Sequence, residues 1–343
     1  MPEIKRPSEI DYVSLGFSYT RTPYNVRIHY SKGKWGEIQI SDEPNISIHM
    51  ASTALHYGQQ AFEGLKALRG EDGKVRVFRM EENAKRMQSS AEYLQMAQPP
   101  VELFCEAVEK VVKLNLEYVP PIETGGSLYI RPVLFGVGPT VGVRPSEEYM
   151  LLIFATPVGG YFQNDAVGID VIVDRKHDRS GGHGTGHVKA GGNYASALKS
   201  GEEARKKGYH SVLYLDPVEH RYIDECGAAN FFGIKGNTYV TPVSSSILPS
   251  ITNRTLQQLA LDMGMEVECR QIDFLEEVES FEEIGACGTA AVIAPVLSIY
   301  DPESERKYHF DGKGTKMMKL LERYRAIQRG TAEDTHNWTT LVE

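Results

Sequence analysis

The chain has 343 residues, 41% hydrophobic and 24% charged, the composition of an ordinary globular protein of about two domains. With 37 basic against 46 acidic residues the net charge is −9, so a nucleic-acid partner is not favoured. Cys105, Cys226, Cys269 and Cys287 form no C-x-x-C pair, no apolar run is long enough to span a bilayer, and the start MPEIKRPSEIDY lacks the apolar core of a secretory signal, so a cytoplasmic, reduced setting is expected.

In chain order, residues 24–41 alternate weakly around Gly33 and predict strands joined by a hairpin. LKALRGEDGKVRVFR (65–79) is a clearer hairpin, turning at Asp72 and Gly73. Ala84, Met87, Ala91 and Leu94 recur at helical spacing, predicting a helix from Glu81 to about Gln98 that Pro99 and Pro100 end. A second helix is expected from about Glu102 to Tyr118. SLYIRPVLF (127–135) predicts a strand with Leu128 and Ile130 on one face and Tyr129 and Arg131 on the other. YMLLIFATP (149–157) is a continuous apolar run that predicts a buried strand.

GGYFQNDAVG (159–168) has glycines, polar residues and no periodicity, and is expected to be a boundary. Beyond it come a strand at IDVIV, a helix over 193–207, and four short strands at SVLYL, RYIDE, ANFFGIK and TYVTP. ITNRTLQQLALDMG (251–264) predicts an amphipathic helix with Leu256, Leu259, Ala260 and Met263 inward, and a last helix is expected over about 313–328. Mixed strands and helices in two blocks indicate an α+β or mixed α/β fold.

GTGHVKAGGNY (184–194) sets Lys189 among small residues, where a desolvated, neutral amine would be able to attack a carbonyl. Arg86 on the first helix, Ser250-Ile251-Thr252 at a helix start and the turn Gly288-Thr289-Ala290 each offer positive charge or N–H donors to an anion. Glu225 ends the strand RYIDE and opens into a small-residue turn. Taken singly, each has a plainer reading: a solvated lysine, an exposed arginine, an ordinary N-cap, a simple turn, a loop carboxylate. His183 and His187 are separated by glycines, no helix sets their spacing, and no metal site is read. Together the pieces make up what pyridoxal phosphate requires: a lysine for the Schiff base, an acid for the ring nitrogen, a phenol and an anion cup.

The order of SIHMASTALHYGQQAFEGLKALR, ENAKRMQSS, LYIRPVLFGVGPTVGV, PVGGYF, VKAGGNYASAL, YIDECGAANFF, ILPSITNRTL and GACGTAAVIAP, over about 46–296, resembles the branched-chain amino acid aminotransferases of the fold-type IV pyridoxal-phosphate enzymes. The resemblance implies a small N-terminal α/β domain (1–158), a linker (159–169) and a larger cofactor-binding domain (170–343) with a mixed barrel-like sheet, the pyridoxal 5'-phosphate lying between the domains. It makes Lys189 the Schiff-base lysine and the general base at the substrate's Cα. Tyr194 becomes the partner of the cofactor's phenolic oxygen and Glu225 that of its ring nitrogen. Arg86, Ile251, Thr252 and Thr289 become its phosphate cup. Phe17, Tyr57, Phe62, Tyr129, Arg131, Tyr161, Thr289 and Ala290 would line the substrate pocket, with Arg131 the cation for glutamate. The implied reaction carries the amino group of leucine, isoleucine or valine to 2-oxoglutarate with ping-pong kinetics, in a homodimer whose loop 136–143 reaches the partner's active site.

Two departures stand out. Ala291 and Ala294 occupy positions where some members have C-x-x-C, so thiol regulation is not expected, and Ala228 replaces a threonine found in others. D-amino-acid aminotransferase, aminodeoxychorismate lyase and a non-catalytic pyridoxal-phosphate homologue remain alternatives on this fold.

Overall fold

A computed structural model describes residues 3–160, 168–312 and 314–342. Their contacts divide the chain into two compact units, Met1–Tyr161 with Val188–Gly191 and Ala326–Glu343, and Phe162–His187 with Gly192–Arg325. The first unit therefore takes in a four-residue piece around Lys189 and the C-terminal segment, both of which the sequence reading had placed in the second domain.

The first unit is built on an antiparallel sheet. Its main strands are β1 (Asn25–Ser31), β2 (Gln60–Phe62), β3 (Leu65–Arg69), β4 (Val75–Phe78), β5 (Ser127–Gly136) and β6 (Tyr149–Val158). The order is β4-β3-β5-β6-β1, the strand Thr339–Val342 lies against the outer edge of β4, and β2 pairs with the far end of β5. The β3–β4 hairpin turns where expected, with Gly73 at φ 74°, a conformation glycine adopts without cost.

β2 and β3 are two pieces of one line of chain. Phe62 pairs with Val133 and Leu65 with Ile130 in a common register, so the gap falls opposite Pro132. Glu63 N–H donates to the Pro132 carbonyl at 2.8 Å, and proline has no N–H to return. The ladder is broken at Glu63 and Gly64 for that reason.

Helices α1 (Met80–Tyr93) and α2 (Val101–Leu114) supply the other half of this core. Ala84, Met87 and Ala91 of α1 and Phe104, Ala107, Val108, Val111 and Val112 of α2 join Val26, Ile28, Leu128, Ile130, Leu151 and Ile153 in one apolar cluster. α2 stops four residues before the expected Tyr118 because Asn115 caps it. The Asn115 amide donates to the Val111 carbonyl at 2.7 Å and to Tyr24 O at 2.9 Å, and its oxygen accepts Tyr24 N–H at 3.1 Å.

The second unit contains a closed barrel. Strands β7 (Ile169–Asp174), β8 (Ser211–Leu215), β9 (Ile223–Cys226), β10 (Ala229–Lys235), β11 (Glu283–Gly288) and β12 (Val292–Asp301) run in the order β9-β8-β7-β12-β11-β10, and β10 pairs back with β9. β7 is parallel to both neighbours and the other pairings are antiparallel, so the sheet is mixed. Val171, Val173, Leu213, Phe231, Ile284, Val296 and Ile299 share its core. This is the mixed α/β, barrel-containing fold that the resemblance implied.

The expected helix over 193–207 is two, α3 (Gly191–Ser196) and α4 (Leu198–Lys206), and the Ser196 hydroxyl at the break donates to Asn193 O at 2.9 Å. α5 (Ile251–Asp262) buries Leu256, Leu259 and Ala260. Met263 is 39% exposed, against the expectation that it faces inward, because the helix has already ended and Gly264 follows in the left-handed region at φ 74°. The last helix, α6, spans Thr315–Arg329. No described helix is long and apolar enough to cross a membrane.

Candidate active site

In the first unit, the half-buried Lys189 is held by its own backbone. Phe62 N–H donates to the Lys189 carbonyl at 3.1 Å, Ala61 and Ala190 form an antiparallel bridge, and Lys189 N–H donates to Ser90 Oγ of α1 at 3.2 Å. A Cβ at the neighbouring Gly191 would lie 1.8 Å from Gln60 Nε2, so a larger residue there would displace the Gln60 amide. The amine Nζ stands 4.8 Å from the centre of the Phe62 ring, within cation–π range.

The residue after Phe62 was missed in the sequence. Glu63 is fully buried and receives Arg86 of α1 in a two-pronged pair, Nε to Oε1 and Nη2 to Oε2, each at 2.8 Å. Asn83 Nδ2 donates to Oε2 at 2.7 Å. Burial pushes the Glu63 carboxyl up, but the Arg86 charge and hydrogen bonds, the Lys189 charge and the Asn83 amide outweigh it and hold the group below its usual range. The only hint in FEGLKALR is a carboxylate where a strand pattern breaks; its partners lie 20 and 23 residues on.

Tyr129 and Arg131 share a face of β5, as predicted. Arg131 Nη2 donates to Tyr129 Oη at 3.0 Å, and the guanidinium carbon lies 4.9 Å from the Phe62 ring centre and 5.2 Å from that of Tyr129. Arg131 Nε is buried and has no hydrogen-bond partner among the described residues. Phe17 meets Tyr129 edge-on at 4.8 Å. The Tyr57 hydroxyl donates to the Val141 carbonyl in the loop 136–143. The structure thus brings Phe62, Tyr129, Arg131, Phe17 and Lys189 into contact in one unit. Tyr161 lies outside the described residues.

In the second unit, Glu225 on β9 is 3% exposed. Its Oε2 lies 3.2 Å from Arg179 Nε, and its Oε1 accepts Leu248 N–H at 2.5 Å and Asn230 Nδ2 at 3.4 Å. Arg179, a second residue the sequence reading missed, sits ten positions before Lys189 in a polar stretch with no period to mark it. It is buried and also donates from Nη2 to Gly186 O at 2.8 Å and to Ser246 O. Asn193 pins the lysine loop to α3, giving its amide to Thr185 O and taking the Thr185 hydroxyl, both at 2.6 Å. Tyr194 follows on α3, half-buried.

Ile251 and Thr252, both buried, are the first two residues of α5, so their N–H groups have no acceptor within the helix. Ser250 caps the helix by accepting Asn253 N–H at 3.2 Å. Thr289 and Ala290 form the half-buried turn between β11 and β12.

Residues 60–299 match the amino-transferase class IV family, the class to which the chain belongs. The branched-chain-amino-acid aminotransferase of Haemophilus influenzae is 42% identical, the match covering 98% of this chain and 99% of that protein. That of Helicobacter pylori is 40% identical over 98% of both. The crystal structure of the Escherichia coli branched-chain amino acid aminotransferase superposes with a TM-score of 0.79 at 28% identity, covering 94% of this chain and 100% of that one. A branched-chain amino acid aminotransferase from T.th., solved with pyridoxamine 5'-phosphate, gives 0.79 at 26%, covering 94% and 99%. Within class IV, the chain belongs to the branched-chain-amino-acid aminotransferases.

Proposed function

We propose that this enzyme reversibly transfers the amino group of L-leucine, L-isoleucine or L-valine to 2-oxoglutarate, giving the branched 2-oxo acid and L-glutamate with ping-pong kinetics. The cofactor of the class is pyridoxal 5'-phosphate, and the donor set fits it: an amine at Lys189, a buried carboxylate at Glu225, helix N–H groups without intrahelical acceptors at Ile251 and Thr252, and a hydroxyl turn at Thr289. When bound, it supplies an aldehyde to carry the amino group and a ring to draw electrons from the substrate's Cα.

The protein's part is proton handling and orientation. The Lys189 amine would take the proton from Cα as general base and then, as acid, deliver it to the carbon that bore the cofactor's aldehyde. Glu225, kept company by Arg179 at 3.2 Å, serves as the anionic acceptor for the ring N–H. Tyr194 takes the phenolic oxygen, and Arg86, Ile251, Thr252 and Thr289 hold the phosphate. Phe17, Tyr57, Phe62, Tyr129, Arg131, Tyr161 and the Thr289-Ala290 amides form the substrate pocket. The working form is a cytoplasmic homodimer with loop 136–143 directed to the partner's site.

One observation carries the choice of substrates. The pocket wall carries the Phe62 and Tyr129 rings, yet Arg131 presents a buried Nε with no acceptor among the described residues. An apolar wall takes the branched side chains and discriminates among them weakly, since one methylene is worth only about 1–3 kcal/mol. An unsatisfied guanidinium N–H favours a carboxylate, which is what glutamate and 2-oxoglutarate add.

Initial rates over a matrix of L-leucine and 2-oxoglutarate concentrations test the reading. Parallel double-reciprocal lines are expected. Intersecting lines, or turnover of D-alanine or aminodeoxychorismate in preference to L-leucine, would contradict it.

A further inference from the structure

We propose that Glu63 is a positioning residue for the cofactor's phosphate, acting through Arg86. The inference rests on the reading of Arg86 as a phosphate ligand.

Phe62 and Glu63 are neighbours at the place where Pro132 interrupts the ladder between β2 and β5. Phe62 grips Lys189 through its N–H, and its ring faces Nζ. Glu63 grips Arg86 through both carboxylate oxygens. Two consecutive residues thus fix the amine that would meet the aldehyde and the cation that would meet the phosphate.

A guanidinium has a planar fork of donors, and binding a carboxylate along its Nε–Nη2 edge fixes the direction of its Nη1 edge. Glu63 is fully buried and Asn83 also donates to it, so the carboxylate cannot swing with Arg86. Without it, Arg86 keeps its charge but loses its aim. The depressed Glu63 titration agrees with a carboxylate that stays ionised throughout the working range.

The test is equilibrium dialysis of the full chain, loaded and then brought to graded concentrations of pyridoxal 5'-phosphate or of pyridoxal, which lacks the phosphate. Wild type, Glu63→Gln, Glu63→Asp, Arg86→Met and the Glu63→Gln/Arg86→Met pair are compared, with folding followed by circular dichroism. Glu63→Asp retains the charge but is too short for both prongs, and it remains informative if Glu63→Gln does not fold.

Loss of an aimed charged hydrogen bond should weaken pyridoxal 5'-phosphate binding about tenfold in either Glu63 variant. Pyridoxal binding should change by less than about threefold, and Glu63→Gln should add nothing once Arg86 is Met. Equal losses on both ligands would overturn the proposal in favour of a general structural role. Unchanged phosphate-dependent affinity in the Glu63 variants, with Arg86→Met weakened, would overturn it while leaving the Arg86 reading standing. If Arg86→Met weakens both ligands alike, Arg86 is not a phosphate ligand and the proposal falls with that reading.

Discussion

Arg131 and Tyr129 stand two residues apart on one face of β5, the Arg131 guanidinium donating to the Tyr129 hydroxyl at 3.0 Å while its Nε is buried without a partner among the described residues. That face therefore sets one oriented cation beside the Phe62 and Tyr129 rings. Its unused donor separates the two kinds of substrate the enzyme is proposed to handle.

Arg131→Met should test that separation. It keeps an apolar stem of similar length and removes the charge. With a charged hydrogen bond worth about 1.5–3 kcal/mol, kcat/KM for glutamate and 2-oxoglutarate should fall roughly 10- to 100-fold. Leucine should lose far less, and equal losses for leucine and glutamate would contradict the role.

Gly64→Ala probes the support of this pair. A Cβ at Gly64 would lie 2.1 Å from Tyr129 Oη and 2.9 Å from its Cζ, and Tyr129 is only 8% exposed, so its ring has little room to retreat. Overpacking of this kind costs about 1–3 kcal/mol, read as a lower midpoint in urea. Because Tyr129 carries Arg131, the KM for 2-oxoglutarate should rise as well. A variant with unchanged stability and unchanged KM would show that the contact is not needed.

Glu63 predicts a pH dependence of stability. Its carboxyl is held below the usual value of 4.5, so its contribution is complete above pH 4.5, declines as pH falls below that, and is gone below the folded-state pKa. Near neutrality, Glu63→Gln removes the carboxylate charge opposite Arg86 and should cost about 3–5 kcal/mol. The gap between wild type and variant, followed by urea unfolding, should narrow on acidification below 4.5. A gap that stays constant into acid would be at odds with an ionised, paired carboxylate.

What the sequence made legible follows from local physics. The β3–β4 hairpin was readable because Asp72 and Gly73 demand a turn, and α1 because Ala84, Met87 and Ala91 recur on one face. Lys189 drew notice because it sits among small residues. The strand Thr339–Val342 was not, since THNWTTLVE has too few apolar residues to show a period, and its place depends on the free edge of β4. The parallel pairing of β7 with β12, far apart in the chain, is likewise a tertiary pairing with no local sign. Glu63 and Arg179 stayed hidden because a buried ion pair is defined by its partner, and those partners lie 23 and 46 residues away.

The most direct measurement is borohydride reduction of the pyridoxal 5'-phosphate-loaded protein, followed by digestion and mass spectrometry. The account predicts a single phosphopyridoxyl adduct on Lys189, and none in the Lys189→Ala variant, which should also lose turnover. An adduct on a different lysine, or steady-state transamination by Lys189→Ala, would contradict it.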